Sequence, residues 1–354
     1  MNEIITKKRP LGVALIGLGM VAKAHGRALQ DLQSDIKLSG VYSRSGENRR
    51  NFLRDYPFDE QPKEYTSIEE IAADDSVDMA ILLTPPNARV DIIEKLAKAG
   101  KHLLIEKPIE RTTAAATKIV DICHTHNVKL GVVFQYRMRA GALELTRLVN
   151  SGILGELGAV EINIPWWRDQ AYYDEPGRGT YARDGGGVLI SQAIHTLDLA
   201  LSLTGPIQSV QAIAATTKFH EMEAEDFVAA GLRFANGAVG SLTASTSNFP
   251  GAAENIHLHF EKASATFEGE TLTVHWRDGK VDTVGEAGGT GGGADPMAFP
   301  HCWHRDLISD FVDAVLNNKE PCVSGEVGLR VHRLIDALVQ SSHEQTVVHL
   351  DTKK

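Results

Sequence analysis

Short apolar runs alternate with amphipathic stretches along the first 135 residues. The first run, Val13–Ile16, ends on a glycine turn, and a pattern of helical period starts at Met20. Further runs of strand length are Lys37–Ser43, Val77–Leu83, His102–Ile105 and Lys129–Phe134, with helical patterns separating them. Alternating strands and helices predict a parallel sheet with helices on both faces. Residues 1–135 are therefore expected to form one α/β domain.

Local signals also predict where several of these helices begin. A helix is expected over 46–55, and Ser67, with Glu70 three residues later, forms a capping box for a short helix. Asn87 is predicted to cap a helix that ends on Gly100, because glycine commonly follows a helix C-terminus. Thr112 or Thr113 is expected to open the next helix.

Residues 136–354 have a different pattern, in which strands follow one another without intervening helices. Asn236-Gly237 and Asp278-Gly279 are two-residue hairpin turns. The predicted strands are 160–167, 227–234, 238–247, 272–276, 281–284 and 346–350, and the predicted helices are 188–203, 303–316 and 325–342. This arrangement predicts an α+β domain with an open, mainly antiparallel sheet.

Composition excludes several classes of function. The net charge of -10 comes without a basic stripe and disfavours nucleic acid and anionic membranes as partners. No apolar segment reaches membrane-spanning length. The three cysteines are scattered, without metal-ligand spacing, as expected of buried thiols in a reducing compartment. A cytoplasmic location is predicted.

The first glycine turn has the spacing of a dinucleotide-binding fingerprint. Gly17, Gly19 and Ala22 form G-x-G-x-x-A between a strand and a helix. Gly17 permits a tight turn, Gly19 permits approach of a pyrophosphate, and Ala22 permits close helix packing. An alternative interpretation is a signal peptide, with Lys7-Lys8-Arg9 before the apolar run. The glycine spacing and the immediate helical pattern argue against it.

Ligands of such sheets lie beyond the carboxyl ends of the strands. The residues at those ends are therefore predicted to bind the cofactor. They are Gly17, Gly19, Met20, Val21, Ser43, Arg44, Thr84, Pro85, Asn87, Glu106, Lys107 and Gln135.

Lys107 is the first candidate for proton transfer. It follows a strand end, and Pro108 forces the chain to leave the sheet there. A lysine beside an oxidised nicotinamide is near positive charge and partly desolvated, and both effects lower its pKa. The alternative interpretation is a surface lysine paired with Glu106.

His195 is the second candidate. On a helix, one side of an otherwise apolar segment is polar, so this side has to face a polar and partly enclosed region; it carries Ser191, Gln192, His195 and Asp198. Gly185-Gly186-Gly187 precedes it and permits close backbone approach to a ligand. The alternative is a core histidine satisfied by Asp198.

A stretch with aromatic and arginine residues completes the candidate chemistry. Trp166-Trp167-Arg168, Tyr172-Tyr173 and Arg178 suit stacking and bidentate hydrogen bonding to a polyhydroxylated ligand. The alternative is a surface loop with aromatic packing. His301-x-x-His304 lacks a third ligand at a recognisable spacing, so no metal is predicted.

Taken together, these motifs resemble the Gfo/Idh/MocA oxidoreductases, the family of glucose–fructose oxidoreductase and inositol dehydrogenase. The likeness rests on the glycine turn at Gly17, on Glu106-Lys107-Pro108, on the glycines and helix leading to His195-Thr196-Leu197-Asp198, and on the closing helix from Gly325. It implies an oxidoreductase acting on CH–OH groups, which transfers hydride between a sugar or cyclitol hydroxyl and a nicotinamide. Lys107 and His195 are the implied proton-handling pair. Many members carry Asp four residues before the histidine, where this chain has Ser191, so the choice of base stays open.

The cofactor implied is NAD(P). The second strand ends without a carboxylate for a ribose 2′-hydroxyl, and Ser43 and Arg44 suit a 2′-phosphate, which favours NADP. Similar family members nevertheless use NAD with a neutral residue at this position. NAD and NADP both stay open.

For substrate, the candidate contacts are Lys107, Arg137, Arg168, Tyr173, Gln192 and His195. The chain resembles most the branch that includes D-apiose dehydrogenase, which implies a free aldose oxidised at its anomeric carbon to a lactone. Nucleotide-sugar or inositol dehydrogenase is the alternative within the family, and a non-catalytic NAD(P)-binding sensor is the alternative of another class. A homo-oligomer, dimer or tetramer, is expected through the C-terminal sheet, which has a face of small hydroxylic side chains; the alternative is that this face is exposed to solvent. The side chains are Ser241, Thr243, Ser245 and Ser247.

Overall fold

The computed structural model describes residues 9–286 and 299–352. These residues fall into two compact units. The first unit contains the chain up to Glu106, Lys118–Val133 and His304–Gly325, and the second contains Lys107–Thr117, Phe134–Trp303 and the chain from Glu326. The chain thus enters each unit more than once. The sequence-based division into residues 1–135 and 136–354, with a single boundary, remains a prediction.

The first unit contains a six-stranded parallel sheet in the order β3-β2-β1-β4-β5-β6. The strands are β1 Leu11–Ile16, β2 Ile36–Tyr42, β3 Lys63–Tyr65, β4 Met79–Leu82, β5 His102–Glu106 and β6 Leu130–Val133. The strand order reverses beside β1, and in such sheets the crevice at this point binds the ligand. The doubly wound, dinucleotide-binding type of fold predicted for this half is confirmed. Sequence patterns did not define the residues of β3.

Helices accompany this sheet at most of the predicted positions. They are α1 Ala22–Asp31, α2 Gly46–Asp55, α3 Ile68–Ala73, α4 Arg89–Lys98, α5 Thr113–Thr125 and α9 Cys302–Leu316. The residues of α5 up to Thr117 and of α9 up to Trp303 belong to the second unit. Ser67 caps α3 as predicted, since its hydroxyl accepts from the Glu70 N–H at 3.2 Å. The Glu70 carboxylate reaches one residue further back than the capping box requires and accepts from the Thr66 N–H at 2.8 Å.

The prediction that Asn87 caps a helix is wrong. Pro86–Ala88 forms a short 3-10 turn, and α4 begins only at Arg89, without a side-chain cap among the described residues. Proline fixes the backbone before Asn87, and the turn that results leaves Asn87 one residue before the N-cap position, which Ala88 occupies. The predicted end of this helix is confirmed, because Gly100 has a φ of +73°.

The second unit contains a nine-stranded sheet in the order β14-β13-β12-β11-β7-β10-β9-β8-β15. Only β7 and β10 pair in parallel, so the predicted open, mainly antiparallel sheet is confirmed. The strands are β7 Leu157–Pro165, β8 Ile207–Ala215, β9 Phe227–Phe234, β10 Val239–Ser245, β11 Asn255–Phe260, β12 Ala263–Glu268, β13 Thr271–Trp276, β14 Val281–Val284 and β15 Val348–His349. Both predicted hairpin turns are present, with Gly237 at φ +91° and Gly279 at φ +93°.

The helices of the second unit are α6 Ala140–Ser151, α7 Gln170–Tyr173, α8 Ile194–Thr204 and α10 Gly325–Glu344, whose first residue belongs to the first unit. One helix over 188–203 was predicted, but a π-helical turn, Leu189–Ala193, precedes α8. π-turns inside helices occur often at functional sites. No described helix is long and apolar enough to span a membrane. The glycine-dense stretch after Gly285 lies largely outside the described residues.

Candidate active site

The turn after β1 is shaped to admit a phosphate group. Gly17 has a φ of +94°, and a Cβ there would lie 3.0 Å from the backbone of Leu83 and Thr84. A Cβ on Gly19, in contrast, would meet no described atom within 4 Å. α1 begins three residues later with no acidic residue in its first turn and no side-chain cap among the described residues. Open space in front of an uncapped helix N-terminus fits the pyrophosphate of a dinucleotide.

Gly19→Val is expected to weaken NAD⁺ binding without destabilising the apoprotein. The added side chain enters the space that the phosphates need, so Kd should rise about tenfold or more, whereas no described atom is displaced. Gly231→Val is a matched control, because a Cβ on Gly231 also meets nothing within 4 Å and lies in the second unit. Calorimetric titration and apoprotein unfolding would measure both effects. Unchanged affinity in the Gly19 variant would contradict the assignment of this turn.

The end of β2 carries several arginines. Arg44 is exposed, and Arg49, which no sequence motif indicated, donates to the Ser43 carbonyl at 2.6 Å. Arg49 also lies 3.4 Å from Glu64, and Arg50 follows it on α2. The local positive charge is compatible with a 2′-phosphate, and Arg44 is free to stack beside an adenine. NAD and NADP both stay open on this geometry.

A buried arginine holds the ends of β4 and β5. Arg89 donates to the Thr84 carbonyl through Nε at 3.0 Å and Nη2 at 2.7 Å, and its Nη1 donates to the Glu106 carbonyl. Its side chain is buried, so these hydrogen bonds are formed in a region of low dielectric constant. Two stretches predicted from sequence to contact the cofactor, Thr84–Asn87 and Glu106, are thereby fixed by a residue that sequence patterns did not indicate.

Glu106 also belongs to a buried cluster. His25 Nε2 lies 2.8 Å from Glu106 Oε1, and His304 Nε2 lies 3.8 Å from the same oxygen. Burial by itself would raise the pKa of Glu106, but the hydrogen bonds and charge of the two imidazoles lower it well below its ordinary value. His304 is the second histidine of the H-x-x-H motif, and it meets His25 of α1 and Glu106 of β5.

In the second unit, Lys107 is anchored next to the π-turn. Its ammonium donates to the Ser191 carbonyl at 2.8 Å. Ser191 lies four residues before His195, one helical turn away. Lys107 therefore contacts the same helical segment that carries the imidazole, and the alternative of a surface ion pair with Glu106 is not needed to explain its position.

The glycines before the π-turn are held by a buried carboxylate. Glu225 accepts from the Gly187 N–H at 3.2 Å and the Leu189 N–H at 3.1 Å. A Cβ on Gly187 would lie 1.8 Å from the Glu225 carbonyl oxygen, so only glycine fits there. Burial raises the pKa of Glu225, and the backbone N–H groups oppose that effect. This arrangement fixes the start of the segment that carries Ser191 and His195.

His195 is buried against aromatic rings. Its imidazole stacks on Tyr136 with centroids 4.8 Å apart and meets the edge of Phe134 at 5.9 Å. Tyr136 in turn packs under the guanidinium of Arg139 at 3.3 Å. Stacking on one face orients the ring, and the buried setting strengthens any hydrogen bond that it makes to a ligand.

Asp198 is not the partner of His195 that one interpretation of the sequence expected. Its two oxygens accept from Arg137 Nε and Nη2, each at 2.6 Å. Burial raises the pKa of Asp198, and the Arg137 guanidinium opposes that rise. Arg137 therefore holds a buried carboxylate, and its proposed contact with substrate remains a prediction.

Three of the predicted substrate residues, Arg168, Tyr173 and Gln192, contact Tyr172. Arg168 is buried, with its guanidinium 5.4 Å from the Trp166 ring and 5.6 Å from the Tyr172 ring. Gln192 donates to the Tyr172 hydroxyl at 3.2 Å, and its buried Oε1 has no hydrogen-bond partner among the described residues. Tyr173 differs, because its hydroxyl is bonded to Thr246 at 2.6 Å.

Tyr172 is thus the tyrosine that these residues contact. Besides Gln192, it accepts from Arg178 Nη1 at 2.9 Å, and that guanidinium lies 4.3 Å over its ring. Sequence patterns singled out Tyr172 only as part of the aromatic stretch. Gln135, a predicted cofactor contact, is also buried in this unit, and its Oε1 has no partner in the part of the chain described.

The chain is recognised by two family profiles. The profile described as "Oxidoreductase family, NAD-binding Rossmann fold" matches residues 11–134, and that of the GFO/IDH/MocA C-terminal domain matches residues 142–266. The chain belongs to the Gfo/Idh/MocA oxidoreductase family. Its first unit is an NAD(P)-binding Rossmann fold, which confirms the predicted class of cofactor.

Curated relatives are distant. An uncharacterized oxidoreductase of Schizosaccharomyces pombe is 27% identical over 225 residues, and the match spans 62% of this chain and 59% of that protein. The chain thus matches about three fifths of the length of that relative. Inositol 2-dehydrogenase of Rhizobium meliloti is 23% identical over 346 residues, covering 95% of this chain and 98% of that enzyme.

Among solved structures, the WlbA dehydrogenase of Bordetella pertussis in complex with NADH and UDP-GlcNAcA is similar over nearly its full length. The TM-score is 0.80 at 25% identity, and the superposition covers 97% of this chain and 99% of that one. These likenesses support the family and the cofactor class and leave the substrate of this chain open.

Proposed function

We propose that the chain is an NAD(P)-dependent dehydrogenase that oxidises a hydroxyl-bearing carbon of a sugar. The observation that carries the proposal is the 2.8 Å hydrogen bond from Lys107 to the Ser191 carbonyl, one turn before His195. An ammonium and an imidazole held on one helical segment are suited to general acid–base transfer of the hydroxyl proton when an alcohol is dehydrogenated. NAD(P) bound to the Rossmann fold supplies the hydride acceptor.

The chain's own residues account for the remaining steps. One of the pair Lys107 and His195 acts as the base that takes the proton from the substrate hydroxyl. The other donates a hydrogen bond to the hydroxyl oxygen. The stacking of His195 on Tyr136 and the anchoring of Lys107 on Ser191 hold these groups in place before substrate binds. Arg168 and Gln192 supply donors and a free acceptor that suit neighbouring hydroxyls.

The substrate that we favour is a free aldose oxidised at its anomeric carbon, which gives a lactone, and D-apiose is one candidate. The predicted substrate set consists of side chains that form hydrogen bonds, which suits a small polyol. A nucleotide sugar is the second candidate, and the likeness to a WlbA dehydrogenase solved with UDP-GlcNAcA favours it. Relatedness to an inositol 2-dehydrogenase adds cyclitols to the compounds to be tested.

A substrate screen with both coenzymes would test these candidates. The purified chain would be assayed against aldoses including D-apiose, against inositols and against UDP-sugars, by absorbance of the reduced nicotinamide. We expect turnover of at least one free aldose, with the lactone trapped by hydroxylamine. Turnover of UDP-sugars alone would replace the first candidate by the second. Coenzyme binding without turnover of any compound would overturn the proposal in favour of a non-catalytic sensor.

We also propose that copies of the chain associate through the nine-stranded sheet. On β10, Ser241 is exposed and Thr243 half-buried, so small side chains leave this part of the sheet accessible in the second unit. Light scattering after gel filtration should give a dimer or tetramer, and Ser241→Arg should lower the oligomeric state. A monomeric wild-type chain would refute the assignment.

A further inference from the structure

Three side chains of the first unit meet in its interior. His25 comes from α1, Glu106 from the end of β5 and His304 from α9, and they are 0%, 8% and 1% exposed. Both Nε2 atoms approach the same Glu106 oxygen, and the two imidazole rings meet edge to face with centroids 4.9 Å apart. A carboxylate and two imidazoles in so small a volume form a unit that titrates as a whole.

The geometry favours a shared proton over a metal ion in this cluster. One ligand atom from each residue lies within 4.8 Å of the others, which is close enough for three ligands of a metal. A metal-bound histidine, however, almost always donates its other ring N–H to an acceptor. His25 Nδ1 is buried and has no hydrogen-bond partner among the described residues. With its proton on Nε2, the His25 ring donates to Glu106 at 2.8 Å, and Nδ1 then carries a lone pair that needs no acceptor.

Charged residues next to the cluster members on α1 and α9 are exposed or hydrogen-bonded to a neighbour. On α1, Lys23 and Arg27 are exposed. On α9, Arg305 binds the neighbouring Asp306 at 2.7 Å. The remaining cation is Arg89 on α4, which donates to the Glu106 backbone carbonyl. The cluster therefore brings three ionisable side chains together, with the Arg89 guanidinium at the backbone of one of them.

The net charge of the cluster changes by one unit with one proton. With both histidines neutral and Glu106 ionised the charge is negative, and one added proton makes it neutral. Imidazole is the side chain that exchanges protons between pH 5 and 8. The cluster lies at the carboxyl end of β5, the edge of the sheet at which doubly wound folds bind their ligands.

We propose that His25, Glu106 and His304 form a proton-binding site linked to the oxidation state of the coenzyme. The oxidised nicotinamide ring carries a positive charge that the reduced ring lacks, so it favours the negatively charged cluster, whereas the reduced coenzyme permits the protonated one. By linkage, protonation of the cluster favours binding of the reduced over the oxidised coenzyme, by the same factor by which the reduced coenzyme favours protonation. This inference rests on the proposed function only in that the chain binds a nicotinamide coenzyme.

The linkage makes the coenzyme preference depend on pH in one direction only. As pH falls through the range in which the cluster gains its proton, the affinity for the oxidised coenzyme should fall relative to that for the reduced one. As pH rises, the preference should reverse. Each full proton of linkage changes the ratio of the two dissociation constants by tenfold per pH unit.

Calorimetric titration of the full chain with NAD⁺ and NADH, in phosphate and in Tris at the same pH, measures the protons exchanged. If the substrate screen shows a preference for NADP, the titrations use NADP⁺ and NADPH instead. We expect the protein to take up more protons when it binds the reduced coenzyme than when it binds the oxidised one. Glu106→Gln keeps an acceptor for His25 but removes the carboxylate, and it should abolish this difference. His304→Gln should reduce it, and His126→Gln, an imidazole elsewhere in the first unit, should not.

Several results would overturn the inference. One is equal proton exchange with both coenzymes in the wild type, and another is a difference that survives in Glu106→Gln although circular dichroism shows it folded. Stoichiometric zinc in the purified chain, lost in His304→Gln, would make the cluster a metal centre instead. Normal coenzyme binding with equal proton exchange refutes only the linkage, whereas absence of binding by either coenzyme refutes the proposed function as well.

Discussion

Lys107→Ala and His195→Ala should each lower kcat by about 10²- to 10⁴-fold, the usual contribution of a positioned proton-transfer group. Each variant removes one of the two groups assigned to the substrate hydroxyl proton. Coenzyme affinity should change little in His195→Ala, since its ring packs on Tyr136 and Phe134 in the second unit. Steady-state kinetics with the best substrate of the screen, together with coenzyme titration, would measure both effects.

Lys107→Arg separates proton transfer from anchoring. Arginine keeps a cation that can donate to the Ser191 carbonyl, but it does not deprotonate in proteins. A rate close to that of Lys107→Ala would support proton transfer by Lys107, whereas recovery of wild-type turnover would restrict its role to holding the π-turn. Lys118→Ala, at an exposed lysine on α5, is the control. Wild-type turnover in both Lys107→Ala and His195→Ala would contradict the active-site assignment.

Arg139→Met should destabilise the protein by about 3–5 kcal/mol, the range for removing one partner of a buried ion pair. Arg139 is fully buried and donates from Nη1 to Glu254 and to the Gly269 carbonyl, each at 2.6 Å. Its loss leaves the Glu254 carboxylate buried with the Trp166 indole N–H, at 3.2 Å, as its donor in the described structure. Denaturant unfolding of the apoprotein would measure the change.

A double variant distinguishes an uncompensated charge from lost packing. Arg139→Met with Glu254→Leu removes both charges, and such replacements are often neutral or stabilising. Most of the stability lost in the single variant should return. Equal destabilisation in the single and double variants would show instead that the guanidinium acts by packing on Tyr136 at 3.3 Å. In that case His195, which stacks on the same ring, should lose its alignment, and kcat should fall as well.

Local signals explain why much of the fold was predictable. The glycine turn at Gly17, the end of α4 at Gly100 and the hairpin at Gly237 each depend on a positive φ that glycine adopts without strain. Ser67 caps α3 through a contact within one helical turn. Where the local signal was mixed, prediction failed, as at Asn87, where the preceding prolines impose a turn before the helix begins.

The sequence by itself determined the two kinds of sheet, the dinucleotide-binding turn and the candidates Lys107 and His195, because periodicity, turn chemistry and motif spacing act over a few residues. Only the tertiary structure decided which side chains meet. It assigned Asp198 to Arg137, 61 residues away along the chain, rather than to His195. It also used Arg89 to hold two strand ends and brought His304 to Glu106 and His25. A charged group that is buried requires a complementary partner, because it has lost its contact with water. The packing of distant segments decides which group comes within hydrogen-bond distance, and no local sequence pattern contains that information.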